Sequence, residues 1–469
     1  MNADRFWTTS LRAAPWGAAV TRILAAALAA VEPAAAVRRF LRLDGATLYA
    51  GEQAYDLDRY QRVFLVGAGK AGAPMARATA AILGPRLTGG VVVVKGYESA
   101  PERAHERGPA SQEPTAELPA TVELVEAGHP IPDARGVAGA QRMAALLQQA
   151  TERDLVIALI SGGGSALLTL PVPGVRLADL QALTTTLLGC GASINEINAL
   201  RKHLDQVKGG GLAQMAHPAA LVTLILSDVV GNPLDVIASG PTVPDTSTFA
   251  EAWGVLERYG IAQAVPTSIS EHLRRGMAGA IPETSKPGDP CFEHVQNLLV
   301  GSNPQAAAAA LEAARGEGLH PLLLTTYLQG EAREVGRVLA AVGRELAASG
   351  HPLPRPACIV AGGETTVTLR GAGTGGRNQE LALAAVQDLA GLADVALVAL
   401  ATDGGDGPTD AAGAVVTGAT LERTRRLGLD PAAHLARNDA YPFFAALGDL
   451  LKPGPTETNV NDLAFVFAF

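Results

Sequence analysis

Leu155-Val-Ile-Ala-Leu-Ile160 runs directly into Ser161-Gly-Gly-Gly-Ser165, and Ala166-Leu-Leu168 follows. Six apolar residues without polar alternation read as a strand buried on both faces, which is the pattern of a parallel sheet. The glycines mark the turn from that strand into a helix. The same pattern recurs outward in both directions. Val63-Phe-Leu-Val66 enters Gly67-Ala-Gly69-Lys70-Ala-Gly72, Gly90-Val-Val-Val-Val94 enters Lys95-Gly96, and Leu221-Val-Thr-Leu-Ile-Leu226 enters Ser227-Asp228. A stretch rich in Pro, Gly, Ser and Glu covers residues 267–290 and reads as a domain boundary. Beyond it a second series begins with Leu298-Leu-Val300, Leu322-Leu-Leu-Thr325, Cys358-Ile-Val360 and Val395–Ala401, and ends with Leu463–Phe467. The prediction is an α/β protein of two domains, residues 1–280 and 290–469. The final strand is free to return to the first domain.

Composition agrees with that class and excludes others. Of 469 residues, 48% are hydrophobic, enough for two cores, and 52 are glycine. The net charge of −9 and the lack of any Lys/Arg-dense segment exclude a nucleic-acid partner. The three cysteines are far apart and form no metal-ligand spacing, which points to a reducing compartment, the cytoplasm. Residues 11–41 place apolar side chains at helical spacing and predict an amphipathic surface helix. No apolar run reaches the ~20 residues of a membrane span. Residues 98–119 change to Pro, Glu, Ser, Ala and Arg and read as an inserted surface loop.

Several segments carry polar side chains to the carboxyl ends of predicted strands, where ligands bind in parallel sheets. Gly67, Gly69 and Gly72 match the GxGxxG turn of a Rossmann-like domain. The acidic residue that would hold a dinucleotide ribose is replaced by Lys95. What remains is a loop suited to an anion, with Lys70 inside it. Ser161, Gly162, Gly163, Gly164 and Ser165 form a second phosphate-cradling candidate. Asp228, with Asn232 nearby, can ligate a cation or accept a proton. Glu364 follows a strand, and Gly373–Gly376 delivers Arg377, Asn378 and Gln379 to a helix start, where the planar guanidinium suits phosphate or carboxylate. Asp403, Asp406 and Asp410 fall within eight positions and suggest oxygen ligands for a hard cation. The charges at 201–203 read as a solvated helix face. No GxSxG elbow, HExxH helix or HRD catalytic loop occurs.

Taken together, VGAGKA (66–71), SGGGSALL (161–168), LSDVVGN (226–232), ASGPTVPD (238–245), GGET (362–365), GGRNQE (375–380), TDGGDGPTDAAGA (402–414) and TETNVNDL (456–463) resemble the 2-phosphoglycerate-forming glycerate kinase family. The resemblance spans nearly the whole chain. It implies a Rossmann-like parallel-sheet domain, a second α/β domain with a mixed sheet, and an active site in the cleft between them. ATP as phosphoryl donor, Mg²⁺ or another divalent cation, and D-glycerate as the small-molecule acceptor are also implied. The resemblance associates Lys70 and Arg377 with catalysis. Asp228, Asp403 and Asp406 are the expected metal or proton-accepting carboxylates. Some members carry the label hydroxypyruvate reductase, so an NAD(P)H-dependent reductase and a kinase of another small hydroxy acid stand as alternatives. The reading admits a homodimer.

Overall fold

The computed structural model describes residues 1–96 and 117–469; the predicted insertion at 98–119 therefore lies almost wholly outside the described residues. The chain forms two compact units, residues 33–300 and residues 1–32 with 301–469.

In the unit of residues 33–300, a small antiparallel sheet is made of β1 (Leu41–Asp44), β2 (Thr47–Ala50) and β3 (Gln53–Asp56). The main sheet contains β4 (Arg62–Ala68), β5 (Leu87–Lys95), β6 (Val122–Ala127), β7 (Asp154–Ser161), β8 (Ala220–Leu226) and β9 (Val295–Gly301). Its order is β6-β5-β4-β7-β8-β9, and the pairs from β6 through β8 are parallel. Every residue of β7 is buried, as its unbroken apolar run requires. Chain direction across the sheet reverses between β4 and β7, which are adjacent and aligned Ala68 to Ile160. Their carboxyl ends open a crevice at this switch point. The helix Ala134–Leu147 follows β6 and buries one face on the core around Val66, Val93, Met143 and Ile160, whereas the helix Gly72–Leu83 follows β4 and sets Gly72 against Val92 and Val94.

The unit of residues 301–469 holds β10 (His320–Leu328), β11 (Ala357–Gly363), β12 (Val395–Ala401), β13 (Gly413–Thr417), β14 (Leu450–Leu451) and β15 (Asp462–Ala468). The order is β10-β11-β15-β12-β13-β14, and only β10 and β11 run parallel. The last strand thus inserts at the centre of this sheet, flanked by β11 and β12 on a core containing Leu397, Phe443, Phe444 and Val466. Because β15 runs against both neighbours, its first residue, Asp462, lies beside the last residues of β11 and β12, Gly363 and Ala401.

Three expectations are corrected. The strand at 298–300 does not open the second unit; β9 adds to the first sheet, so the division falls at 300/301 rather than at 280–290. Residues 11–41 are not one surface helix. They break into Thr9–Ala13, Gly17–Ala29 and Pro33–Phe40, where Pro33 fits a helix start because its missing N–H is not needed there. Val20, Ile23, Leu24 and Leu28 are buried, and the helix Gly17–Ala29 packs on Asn303–Gly316 of its own unit. Finally, Lys202 and His203 are not solvated. Lys202 Nζ lies 3.2 Å from Asp245 Oδ1, and His203 Nε2 lies 3.0 Å from Glu283 Oε2. Among the described residues no single helix is long and apolar enough to cross a membrane.

Candidate active site

At the switch point the two glycine loops are laced together. Ala71 N donates to Ser161 Oγ (3.0 Å) and Lys70 N to Gly162 O (2.9 Å). Gly67 lets β4 approach β7, since a Cβ there would fall 2.4 Å from Leu159 O. Gly69, at φ +142°, faces Ser161 in the same way. Gly69 N donates to Val93 O and Gly72 N to Gly69 O. The amides of the first loop are therefore spent inside the protein. Gly67 and Gly69 are packing residues, not an anion cradle, and the loop's offering is the Lys70 side chain. In the second loop, the N–H groups of Gly163, Gly164 and Ser165 donate to no acceptor among the described residues. They open a short helix, where such groups lack intrahelical partners.

Three side chains stand over this second loop. A Cβ on Gly162 would fall 2.0 Å from Asp228 Oδ2, and one on Gly163 would fall 3.0 Å from His129 Cδ2 and 3.3 Å from Lys70 Cγ. The glycines are needed because carboxylate, imidazole and ammonium stem pack directly on their backbone. Burial, reinforced by Lys70 and Lys95, pushes the His129 imidazole down to about 4, so it is neutral at neutral pH. His129 was not visible in the sequence as a site residue, because it reaches the loop only through the register of β6 against β5. Behind the loop, Ser165 Oγ lies 3.0 Å from Ser239 Oγ, which donates to Asn198 Oδ1. Asn232 takes a left-handed backbone (φ 54°) in the turn after Asp228.

In the other unit, Arg377 is held by two carboxylates. Its Nε donates to Asp462 Oδ2 (2.5 Å), its Nη2 to Asp462 Oδ1 (3.2 Å) and its Nη1 to Glu364 Oε1 (2.6 Å). These bonds take three of the five guanidinium donors. Asn461 Nδ2 donates to the other Glu364 oxygen. Burial opposes the charge of Arg377, but Asp462, Glu364 and Asp406 hold it protonated. Burial pushes Asp462 up to about 7 against the pull of Arg377. Asp462 and Asn461 are the second omission of the sequence reading. They lie far from Arg377 in the chain and meet it only because β15 inserts between β11 and β12.

The acidic cluster of the sequence is dispersed by the fold. Asp406 accepts from Asn378 N (3.1 Å) and Gln379 N (2.8 Å) and so caps the helix Arg377–Ala385. A Cβ on Gly376 would strike its carboxylate. Burial raises Asp406 to about 6. Asp410 accepts from Tyr441 Oη and Lys452 Nζ, and Asp403 accepts from Gly405 N. Among the described residues no group of three or more His, Cys, Asp and Glu is placed to hold a metal ion. Asp406 is buried and serves as the cap of the helix Arg377–Ala385. Asn378 and Gln379, 2% and 0% exposed, serve the same junction instead of facing a ligand.

The domain of unknown function DUF4147 matches residues 19–274, and the MOFRL family matches residues 357–462. A D-glycerate 2-kinase of Thermotoga maritima is 44% identical over 86% of this chain and 89% of its own length. A glycerate 2-kinase of Pyrococcus horikoshii is 40% identical over 94% and 95%. A relative from Agrobacterium vitis, 43% identical over 86% of both chains, carries a hydroxypyruvate reductase label. The crystal structure of a glycerate kinase from T. maritima superimposes with a TM-score of 0.81, at 40% identity, covering 95% of this chain and 98% of that one. A doubly wound sheet with a cation and a carboxylate over a glycine loop, joined to a mixed-sheet unit and matched throughout to such relatives, defines an α/β enzyme of the kinase class. Within that class, the chain belongs to the glycerate kinase family.

Proposed function

We propose that this kinase transfers the γ-phosphoryl group of ATP to the 2-hydroxyl of D-glycerate, giving 2-phosphoglycerate and ADP. One observation carries the reading: Lys70 and Asp228 stand over the Gly162–Ser165 loop at the switch point of the parallel sheet, beside amides with no internal acceptor. The names of the relatives point to glycerate as acceptor.

Phosphoryl transfer depends on positioning and on neutralising phosphate charge. The Gly163–Ser165 amides and Lys70 hold phosphate oxygens, and the two remaining donors of Arg377 hold the glycerate carboxylate or the transferring group. Magnesium arriving with the nucleotide needs only one or two protein carboxylates beside phosphate oxygens and waters. Asp228 or Asp403 is the residue that would hold it, and it would neutralise charge on the β- and γ-phosphates. The absence of a three-carboxylate cage among the described residues is compatible with that mode.

The test is ADP formation followed with and without D-glycerate, beside NADH or NADPH oxidation with hydroxypyruvate. Glycerate-dependent ADP release is expected. Nicotinamide oxidation without ADP release overturns the proposal in favour of the reductase that one relative's label suggests. Against that reductase stands Lys95 at the end of β5, where a dinucleotide site needs an acid.

A further inference from the structure

His129 belongs to none of the glycine-rich segments, yet its ring is the side chain nearest to Gly163. Nε2 and Cδ2 lie 3.1 and 3.0 Å from the point a Cβ would occupy there. The loop carrying it is short and fixed at both ends. Gly96 N donates to Ala127 O at the end of β6, and Asp133 caps the helix Ala134–Leu147 through Gly136 N (2.9 Å). A Cβ on Gly128 would strike both Ile131 O and Asp133, so the turn is closed around a glycine. His129 is half-buried. The charged groups acting on it are Lys70, from the loop after β4, and Lys95, from the end of β5. Both disfavour an imidazolium and keep a ring lone pair available.

We propose that His129 accepts the proton of the attacking hydroxyl, a role that rests on the activity proposed above. The acceptor O–H bond breaks as the oxygen bonds to the γ-phosphorus. The bond from that phosphorus to the bridging oxygen breaks, and its electron pair leaves with the nucleoside diphosphate. The proton passes to the imidazole and then to water; no electron is transferred.

The experiment compares wild type, His129→Gln and His129→Ala in steady-state turnover with ATP, Mg²⁺ and D-glycerate. His129→Gln keeps the bulk and a polar edge, and thermal melting with and without ATP establishes that each variant is folded and binds nucleotide. The expected result is a kcat lower by about 10²–10⁴-fold with KM values changed by less than about three-fold. Added imidazole should restore part of the kcat of His129→Ala in proportion to its free-base concentration. A folded His129→Gln with kcat within about three-fold of wild type overturns the role. So does a loss confined to a raised glycerate KM that imidazole does not relieve. A wild type that forms no ADP with glycerate overturns the proposed activity itself, so the two failures are distinguishable.

Discussion

Lys70 and Arg377 are presented in different ways. Lys70 sits in a loop whose amides are consumed internally, so its side chain is the loop's contribution. Arg377 carries two carboxylates and keeps two donors. Lys70→Ala and Arg377→Ala are each expected to lower kcat/KM by about 10²–10³-fold, as loss of a charge-stabilising donor does. Near-native turnover in both would dismiss them as site residues. Arg377→Lys should also fail, because an ammonium cannot hold Asp462 and Glu364 in a planar fork. His129 gives a pH prediction. Its value falls from 6.5 to about 4 on folding, so the unfolded chain binds the extra proton between those limits. The contribution is fully present above 6.5 and is lost as pH falls towards 4. Denaturant unfolding should therefore show wild type losing more stability than His129→Gln across that window. Equal losses would contradict a buried neutral imidazole. Lys70, Asp228 and Arg377 were legible because each lies inside a local string of glycines and polar residues. His129, Asn461 and Asp462 were not, since strand order and register bring them to the site.

Among the elements, the buried strands β4, β5, β7, β8, β11 and β12 were plain in the sequence, because runs without alternation have few other readings. The short strands β1 to β3 lack such runs and were missed, and β13 was missed although Ala414-Val-Val416 is apolar and buried. The helix Gly17–Ala29 was recognised as helical but placed on the surface, since periodicity does not reveal how much of its circumference is covered. Leu24 is 0% exposed. Leu24→Ala is expected to cost about 2–5 kcal/mol in urea denaturation. A cost below about 0.5 kcal/mol is what a surface helix predicts. The loop after β7 makes its own prediction. Gly163→Ala forces a side chain onto φ +82° and against His129, so turnover should collapse while the fold melts near the wild-type temperature. Wild-type turnover in that variant would mean that the loop and His129 are not part of the site.

At the scale of the whole molecule, the chain's first segment belongs with its last. Residues 1–32 join residues 301–469 through packing of Gly17–Ala29 on Asn303–Gly316, the Arg22–Glu317 ion pair (2.6 Å) and Thr458 Oγ1 donating to Val31 O (2.7 Å). No local signal announces this, because closure between chain ends depends on the finished core. Removing residues 1–32 should raise hydrogen exchange in Asn303–Gly316 and around β15, and leave β4 and β7 protected. Uniform deprotection of both units would contradict the division. The central claim concerns the chemistry, and product analysis by phosphorus NMR tests it most directly. With ATP, Mg²⁺ and D-glycerate, the account predicts a 2-phosphoglycerate resonance growing in step with ADP. A 3-phosphoglycerate resonance, or none, would contradict it.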